Sequence, residues 1–484
     1  MPSIREPRIR HALYFLRALT EAHKSYRRGG ESARSALEMF DLEWPNIRAG
    51  QEYAKLYSVE DDRAAAACSD YADIGAHLLD LRLAARERIV WLESALDCAS
   101  RLKDVGAQCR HLNSLGLAYK NLGDLRRAVT AHETQLAASR LIGDEQTAAA
   151  ALSNLGVAHS AMHDNARAIG YYEEALASFR RLRNLHAQAR VLNSLGVARA
   201  DMGASRQAIE HFEEALAISR RLRSRHEEAN ACSNLGNVYY FLGKLSRAAE
   251  RYEEALAIFR EIGYRHGEGV ALGNLGLTYV TLGHPARAIT YHERSLDIAR
   301  SIGDRIGERN TLGALGIAYA FVGEPQRIVE VSEQLLAAAR EADDQRSEGV
   351  ALDNLGRAER LLENFGRAEE FHQQALKVFR AAGYARGQAS ALGNLGNVCQ
   401  AIGDYGRAAE FYEQELQVAR AANHHTDIGR TLVSLGSALR ELGERERAQA
   451  CVEEGLAALE RGGDIEAATA RALLAELRAA ASHT

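Results

Sequence analysis

A Leu-Gly pair returns every forty residues: Leu115-Gly116, Leu155-Gly156, Leu195-Gly196, Leu235-Gly236, Leu275-Gly276, Leu315-Gly316, Leu355-Gly356, Leu395-Gly396 and Leu435-Gly436. The nine copies follow one another with no insertion or deletion. A fixed period of roughly 20–50 residues marks a stacked array, because each block is too small to bury its apolar face alone and uses its neighbour's. A length of 484 residues would otherwise suggest about three domains. The repeat overrides that, since a stack grows by addition and needs no separate cores.

Ala, Leu, Glu and Arg dominate and only five prolines occur, so helix is expected almost throughout. The net charge of −5 and the even spread of arginine give no track for a phosphate backbone, so no direct nucleic-acid partner is expected. None of the six cysteines forms a C-x-x-C pair, which argues against zinc or a disulfide framework and for a reducing, cytoplasmic compartment. Residues 1–20 carry no apolar core of a signal peptide, and no apolar run of about 18 residues exists to span a membrane.

Residues 1–66 read as an N-terminal helical segment. Apolar spacing predicts a helix over 8–26, a break at Gly29-Gly30, and a second pattern over 32–57. Pro45 lies inside that pattern, so one helix is expected to end before it and another to start there. Residues 67–106 read as a degenerate first repeat, with Trp91, Leu92 and Leu96 on its apolar face and Gly75 one place from the expected glycine. Residues 107–460 hold the nine clear repeats. In 227–266, a first helix is expected over about 227–241, stopped by Gly243, and a second over about 245–262, stopped by Gly263. His163 and Glu363 break the series of first-stop glycines. Pro285 and Pro325 fall just inside second helices, and Asp124 and Asp404 stand where an N-cap belongs. Residues 461–484 read as a C-terminal capping helix from Gly462-Gly463-Asp464 to about 480, with Glu466, Arg471, Glu476 and Arg478 on a solvated face.

The mid-helix glycines, Gly116 and its equivalents, each cost about 1 kcal/mol against Ala. Nine of them imply a contact with no room for a Cβ. The expected partner is the small residue of the second helix: Ala128, Ala168, Ala208, Ala248, Ala288, Ala368, Ala408 or Ala448. Ile328 replaces it once, so packing should differ there. Leu136 and its equivalents to Leu456 fill the layer between repeats.

This pattern resembles the tetratricopeptide repeat, through Leu235, Gly236, Tyr239, Ala248, Tyr252, Ala255 and Leu256. The resemblance covers roughly residues 67–460, with a period of forty where about thirty-four is typical. The longer form, with Asn-Leu-Gly-Asn at 234–237 and 394–397, resembles Pins-type adaptors, kinesin light chains and the repeat arms of bacterial NTPase-type regulators. Arg10-His-Ala-Leu-Tyr-Phe-Leu16 and Leu42-Glu-Trp-Pro-Asn-Ile-Arg-Ala49 resemble the helical lead-in of those regulators. No G-x-x-x-x-G-K-[ST] motif occurs, so the chain resembles their sensing arm without its engine. A fragment and a free-standing arm both fit. The resemblance implies an all-α, right-handed α-solenoid superhelix of about ten helix-turn-helix repeats.

It also implies a ligand groove on the wall built by the first helices. Positions two and three before the glycine, and one, four and five after it, should face that groove. Asparagine is frequent there: Asn113, Asn154, Asn193, Asn234 and Asn237, then Asn274, Asn354, Asn394 and Asn397. An amide ladder can hold the backbone of an extended peptide; it can equally bond to the next helix and keep the stack in register. Arg110, Lys120, Arg190, Arg357, Arg360, Arg430 and Arg440 lie at or beside groove positions, opposed by Asp201, Asp353 and Glu441. They favour an acidic protein or peptide segment; scattered solvated cations are the alternative. Tyr240, Phe241, Thr281 and Phe321 replace charges in the middle repeats, as an apolar anchor or as packing against the next repeat.

No catalytic constellation is visible. The histidines, such as His132, His211 and His292, stand mostly where the repeat has an aromatic. His424-His425 has no metal-binding context, and the pairs Glu173-Glu174, Glu213-Glu214 and Glu253-Glu254 recur with the repeat as a solvated face. No cofactor, metal or membrane is expected; self-association is open to such an array. The reading is a peptide-binding scaffold, or alternatively the ligand-sensing arm of a bacterial signal-transducing NTPase or transcriptional regulator.

Overall fold

Each forty-residue block becomes two helices because, among the described residues, its helices end at residues with positive φ. Gly243 has φ 69°. Its N–H donates to Tyr240 O at 3.0 Å, and the Lys244 N–H donates to Tyr239 O at 2.9 Å. Those two bonds satisfy carbonyls that the helix end leaves open. His163 (φ 61°) and Glu363 (φ 63°) make the same turn without a glycine. The Asp164 and Asn364 N–H groups donate to His159 O and Glu359 O at 2.9 Å. The next helix then starts on a cap: Asp124 accepts from Arg127 N at 3.1 Å and Asp404 from Arg407 N at 3.2 Å. Asp104, Asp144, Asp164 and Asp304 do the same. Pro285 and Pro325 occupy first turns.

The computed structural model describes residues 4–28, 30–74, 78–79, 83–421, 425–462 and 467–481. Among them lie 23 helices and no strand, so the fold is an all-α solenoid of stacked helix pairs. It divides into two units, Met1–Glu227 and Glu228–Thr484. The first holds α1 Arg5–Arg28, α2 Gly30–Tyr57, α3 Asp62–Ile74, α4 Ala85–Arg101, α5 Val105–Asn121, α6 Leu125–Leu141, α7 Glu145–Ala161, α8 Asn165–Arg181, α9 Leu185–Asp201 and α10 Ser205–Leu222. The boundary falls within α11, Arg225–Phe241. The second continues with α12 Leu245–Glu261, α13 Arg265–Thr281, α14 Pro285–Ile302, α15 Arg305–Val322, α16 Pro325–Glu341, α17 Gln345–Leu361, α18 Phe365–Ala381, α19 Ala385–Ala401, α20 Tyr405–Ala421, α21 His425–Glu441, α22 Arg445–Gly462 and α23 Ala467–Ala481.

In the first unit, α2 runs unbroken through Pro45, against the expected break. An internal proline costs about 3 kcal/mol. Phe40 and Ile47 on either side of it are fully buried, and each such burial is worth about 1.5–3 kcal/mol, so packing outweighs the lost bond. Tyr71 of α3 donates to Ala12 O of α1 at 2.8 Å, and Trp44 of α2 stacks on Trp91 of α4 at 5.8 Å. Trp91 and Leu92 are buried and Leu96 is half-buried; Gly75 lies outside the described residues.

The mid-helix glycines face rings. A Cβ on Gly156, Gly196, Gly236 or Gly396 would stand 2.5–2.6 Å from a ring carbon of Tyr172, Phe212, Tyr252 or Tyr412, sixteen residues on. His132, His292 and His372 cover Gly116, Gly276 and Gly356 in the same way. The expected contact with Ala128 and its equivalents is therefore corrected: the second helix reaches the glycine with a ring and not with its backbone. Two exceptions explain themselves. At Gly436 the residue sixteen on is Val452, whose Cγ2 takes the ring's place at 2.5 Å from the Cβ position, and Ala448 O comes to 3.1 Å. Ser332 stands at the ring position for Gly316, and Asn354 of α17 fills the space instead. Its Nδ2 donates to Gly313 O at 3.2 Å. This is the stretch where Ile328, fully buried, replaces the small residue.

The repeated tyrosine also has a contact for each part. Tyr119, Tyr279 and Tyr319 donate to Glu93, Glu253 and Glu293 of the preceding second helix at 2.7–3.2 Å. Arg127, Arg287 and Arg327 of the following helix lie over their rings. Charge pairs link second helices to the next first helix: Arg260 with Glu268 and Arg300 with Glu308, both at 2.9 Å.

In α23, Glu476 stands where the register places the motif's glycine, and no second helix follows it among the described residues. Leu474 and Leu477 are buried against the last repeat. Arg471, Glu476 and Arg478 reach back to Glu460, Arg440 and Glu453, each at 2.8 Å. Gly463, Asp464 and Glu466 lie outside the described residues.

Candidate functional site

First helices neighbour one another within each unit, and asparagine side chains bridge them. In the first unit, Asn154 Nδ2 donates to Asn113 Oδ1 at 2.8 Å. Asn193 is half-buried, and its Oδ1 is buried without a partner. Arg110 is exposed and ion-paired with Asp73 at 2.6 Å. Lys120 is half-buried and Arg190 exposed. Leu117 and Val197, each 38% exposed one place after the glycine, add apolar surface that the sequence pattern did not single out.

In the second unit, Asn237 Oδ1 accepts from Tyr252 OH at 2.7 Å and from Asn274 Nδ2 at 3.4 Å. Asn234 is half-buried. Tyr240 and Thr281 pair through their hydroxyls at 3.3 Å. Phe241 touches the Tyr240 ring edge-on at 5.9 Å and is otherwise 82% exposed. Phe321, two repeats on, is 62% exposed. Asn354 is only 1% exposed; it lies beneath the wall, at the void that Ser332 leaves. Arg430 is exposed, and Arg440 is held by Glu441 and Glu476 at 2.8 Å.

A dense polar cluster centres on Asp353, 4% exposed. One carboxylate oxygen accepts from His372 Nδ1 at 2.8 Å and Asn394 Nδ2 at 3.0 Å. The other accepts from Ser390 Oγ at 3.0 Å and Arg357 Nη2 at 3.3 Å. An ionised carboxylate only accepts, so the histidine proton sits on Nδ1. Burial alone would raise Asp353; Arg357 and the bonds from His372 and Asn394 overcome it and hold the carboxyl well below the usual range. Arg360 lies one helical turn from Arg357. Burial first, then the Arg357 charge, lower its hold on its proton.

Nearby, Tyr412 OH lies 2.8 Å from Asn397 Oδ1 and 3.0 Å from Gln400 Oε1. The cluster had a signal in the sequence. Three places before the glycine the second unit carries Ser233, Gly273, Gly313 and Gly393, so Asp353 is the charged exception. Among the described residues no group of His, Cys, Asp or Glu could hold a metal ion, and no helix is long and apolar enough to cross a membrane.

Stacked helix pairs with a variable face on the first helices define a repeat-type interaction fold. The chain belongs to the tetratricopeptide repeat family, whose model matches seven times between residues 108 and 461. No curated protein matches the chain. Among solved structures, a Signal Transduction ATPase with Numerous Domains (STAND) protein with a tetratricopeptide repeat sensor, from Pyrococcus horikoshii, is 14% identical with a TM-score of 0.55, over 84% of this chain and 57% of that one. The apo quorum sensor NprR from B. thuringiensis is 14% identical with a TM-score of 0.50, over 72% and 99%. The kinesin light chain nearly identical repeats of Podosopora anserina are 22% identical with a TM-score of 0.35, over 42% and 97%. These likenesses concern the fold.

Proposed function

We propose that the chain is a scaffold that captures an extended, acidic segment of a protein or peptide along the face of its first helices. One observation carries this reading. The recurring Leu, Gly, ring and Tyr positions are consumed by packing, yet Phe241 and Phe321 stand at one repeat position with 82% and 62% of their surface exposed. Two exposed phenyl rings at one repeat position offer the aromatic anchors that a bound segment would bury. Lys120, Arg190, Arg357 and Arg360 supply charge for an acidic segment. The amides divide their work: Asn113, Asn154, Asn237, Asn274, Asn354 and Asn394 bond within the array, which leaves less of the ladder for ligand backbone. The test replaces Phe241 and Phe321 with Ser. Thermal unfolding should stay within a degree or so of the parent, since exposed side chains contribute little. Partners captured from the source cell and identified by mass spectrometry should be lost. Undiminished capture by the double variant would reject the reading.

A second reading, the ligand-sensing arm of a bacterial signal-transducing NTPase or transcriptional regulator, is favoured by the helices α1–α3 that precede the repeats. It gains if a P-loop protein encoded beside this gene co-elutes with the purified chain, and fails if no such protein does. No catalytic role is proposed.

A further inference from the structure

We propose that the cleft between α2 and α4 is a binding site for a small organic monoanion with an amide group and an apolar body, of the N-acyl amino acid class. Arg48, Gln51 and Lys55 of α2 and Arg86, Val90 and Trp91 of α4 line a cavity of 420 Å³. α4 is the second helix of its pair, so this cavity lies off the first-helix face, and the inference does not rest on the capture reading. Gln51 is the observation that points to a ligand. Its side chain lines the cavity and is 3% exposed, yet among the described residues its amide has no hydrogen-bond partner. Other buried amides have one: Gln135 Oε1 lies 3.1 Å from His132 Nδ1, Gln188 donates to Phe179 O at 3.0 Å and Asn354 to Gly313 O at 3.2 Å. A buried amide without a partner is costly, and a molecule that offers it both a donor and an acceptor removes that cost.

Three features select the class. The Gln51 amide both donates and accepts, so it pairs best with another amide. Val90, 50% exposed, and Trp91 give the cavity an apolar wall, where a short alkyl chain leaves water. At the rim Arg48 is paired with Glu87 at 3.0 Å and Glu52 at 3.8 Å, while the exposed Lys55 and Arg86 join no ion pair among the described residues. Three cations against two carboxylates leave one positive charge, which a single carboxylate balances; a second negative charge would be repelled by Glu52 and Glu87. An N-acyl amino acid carries an alkyl chain, an amide and a carboxylate in that order along its length.

Trp44 and Trp91 are the chain's only tryptophans, and they stack at 5.8 Å beside the cavity. Tryptophan fluorescence of the full chain therefore reports this site and not the groove. Three probes are titrated: N-hexanoylglycine; N-hexanoylglycinamide, which lacks the charge; and octanoate, which lacks the amide. N-hexanoylglycine should change the fluorescence saturably. It should bind about tenfold tighter than octanoate, the effect of satisfying a buried amide, and about threefold tighter than the glycinamide, the effect of an exposed charge pair. Gln51→Leu should abolish the first preference and keep the second. Lys55→Gln with Arg86→Gln should abolish the second and keep the first. That rim variant changes exposed side chains only, so it tests the site even if Gln51→Leu fails to fold. Equal binding of N-hexanoylglycine and octanoate by the parent overturns the assignment. So do preferences that survive in the variants, and so does a fluorescence that no probe changes.

Discussion

Tyr252 closes over Gly236: a Cβ there would stand 2.6 Å from the ring, and the tyrosine hydroxyl bonds the next residue, Asn237, at 2.7 Å. The glycine's absent side chain is the seat of the ring. Gly236→Ala gains about 1 kcal/mol of helix propensity but forces an overpacked contact costing about 1–3 kcal/mol. We expect a net loss of stability and a lower Tm. Gly170→Ala is the control, since nothing lies within 4 Å of its Cβ position; it should gain about 1 kcal/mol. Thermal unfolding of both variants checks the contrast, and a stabilised Gly236→Ala would show that the ring gives way.

The turns at His163 and Glu363 carry side chains in a left-handed conformation, φ 61° and 63°, where eleven glycines elsewhere among the described residues take the same sign. A non-glycine residue there costs about 1–2 kcal/mol, partly offset by its lower freedom in the unfolded state. His163→Gly and Glu363→Gly should each stabilise by about 0.5–1 kcal/mol, measured by denaturant unfolding. No change in midpoint would mean that local bonds already relieve the strain.

The solenoid was legible because the period fixes helix, stop and cap together: Gly243, Asp124 and Pro285 each announce a backbone state by residue type. Pro45 misled, because the burial of Phe40 and Ile47 that overrides it depends on α1 and α3, which local pattern does not show. The glycine contacts were half legible. Spacing showed that no Cβ fits, but not that the partner sixteen residues on is a ring, since His132 and Phe212 share shape and not chemistry. The face was least legible. Asn237 and Asn397 occupy one repeat position, yet whether an amide holds a neighbour or a ligand depends on distances between helices. Asp353 stood in plain sight as an exception, and only the structure surrounds it with four donors.

Burial pushes His292 down to about 4, and His111 likewise. An unfolded histidine titrates near pH 6.5 (roughly). Between those values the unfolded state binds protons that the folded state refuses, so stability falls as pH drops from about 6.5 toward 4. Both ring nitrogens of His292 are buried without partners, and Phe212 shows that the position accepts an apolar ring. His292→Phe should raise stability at pH 7 by on the order of 1 kcal/mol and reduce the loss of Tm between pH 7 and pH 5. An unchanged slope in that window would place the acid sensitivity elsewhere.

Among the described residues Asp353 is the carboxylate paired with Arg357, at 3.3 Å, so its removal and the removal of Arg357 should differ. Asp353→Asn leaves two adjacent half-buried cations without a counter-charge, a loss of about 3–5 kcal/mol for a broken buried pair. Arg357→Gln leaves Asp353 with His372, Ser390 and Asn394 as donors, and relieves the repulsion on Arg360. It should cost only about 1–2 kcal/mol. The double variant should lose less than the sum, because the two changes share one interaction. Denaturant unfolding of the four proteins measures that coupling. Strict additivity would mean that the His372 and Asn394 bonds, and not the arginine, keep Asp353 ionised in the wall.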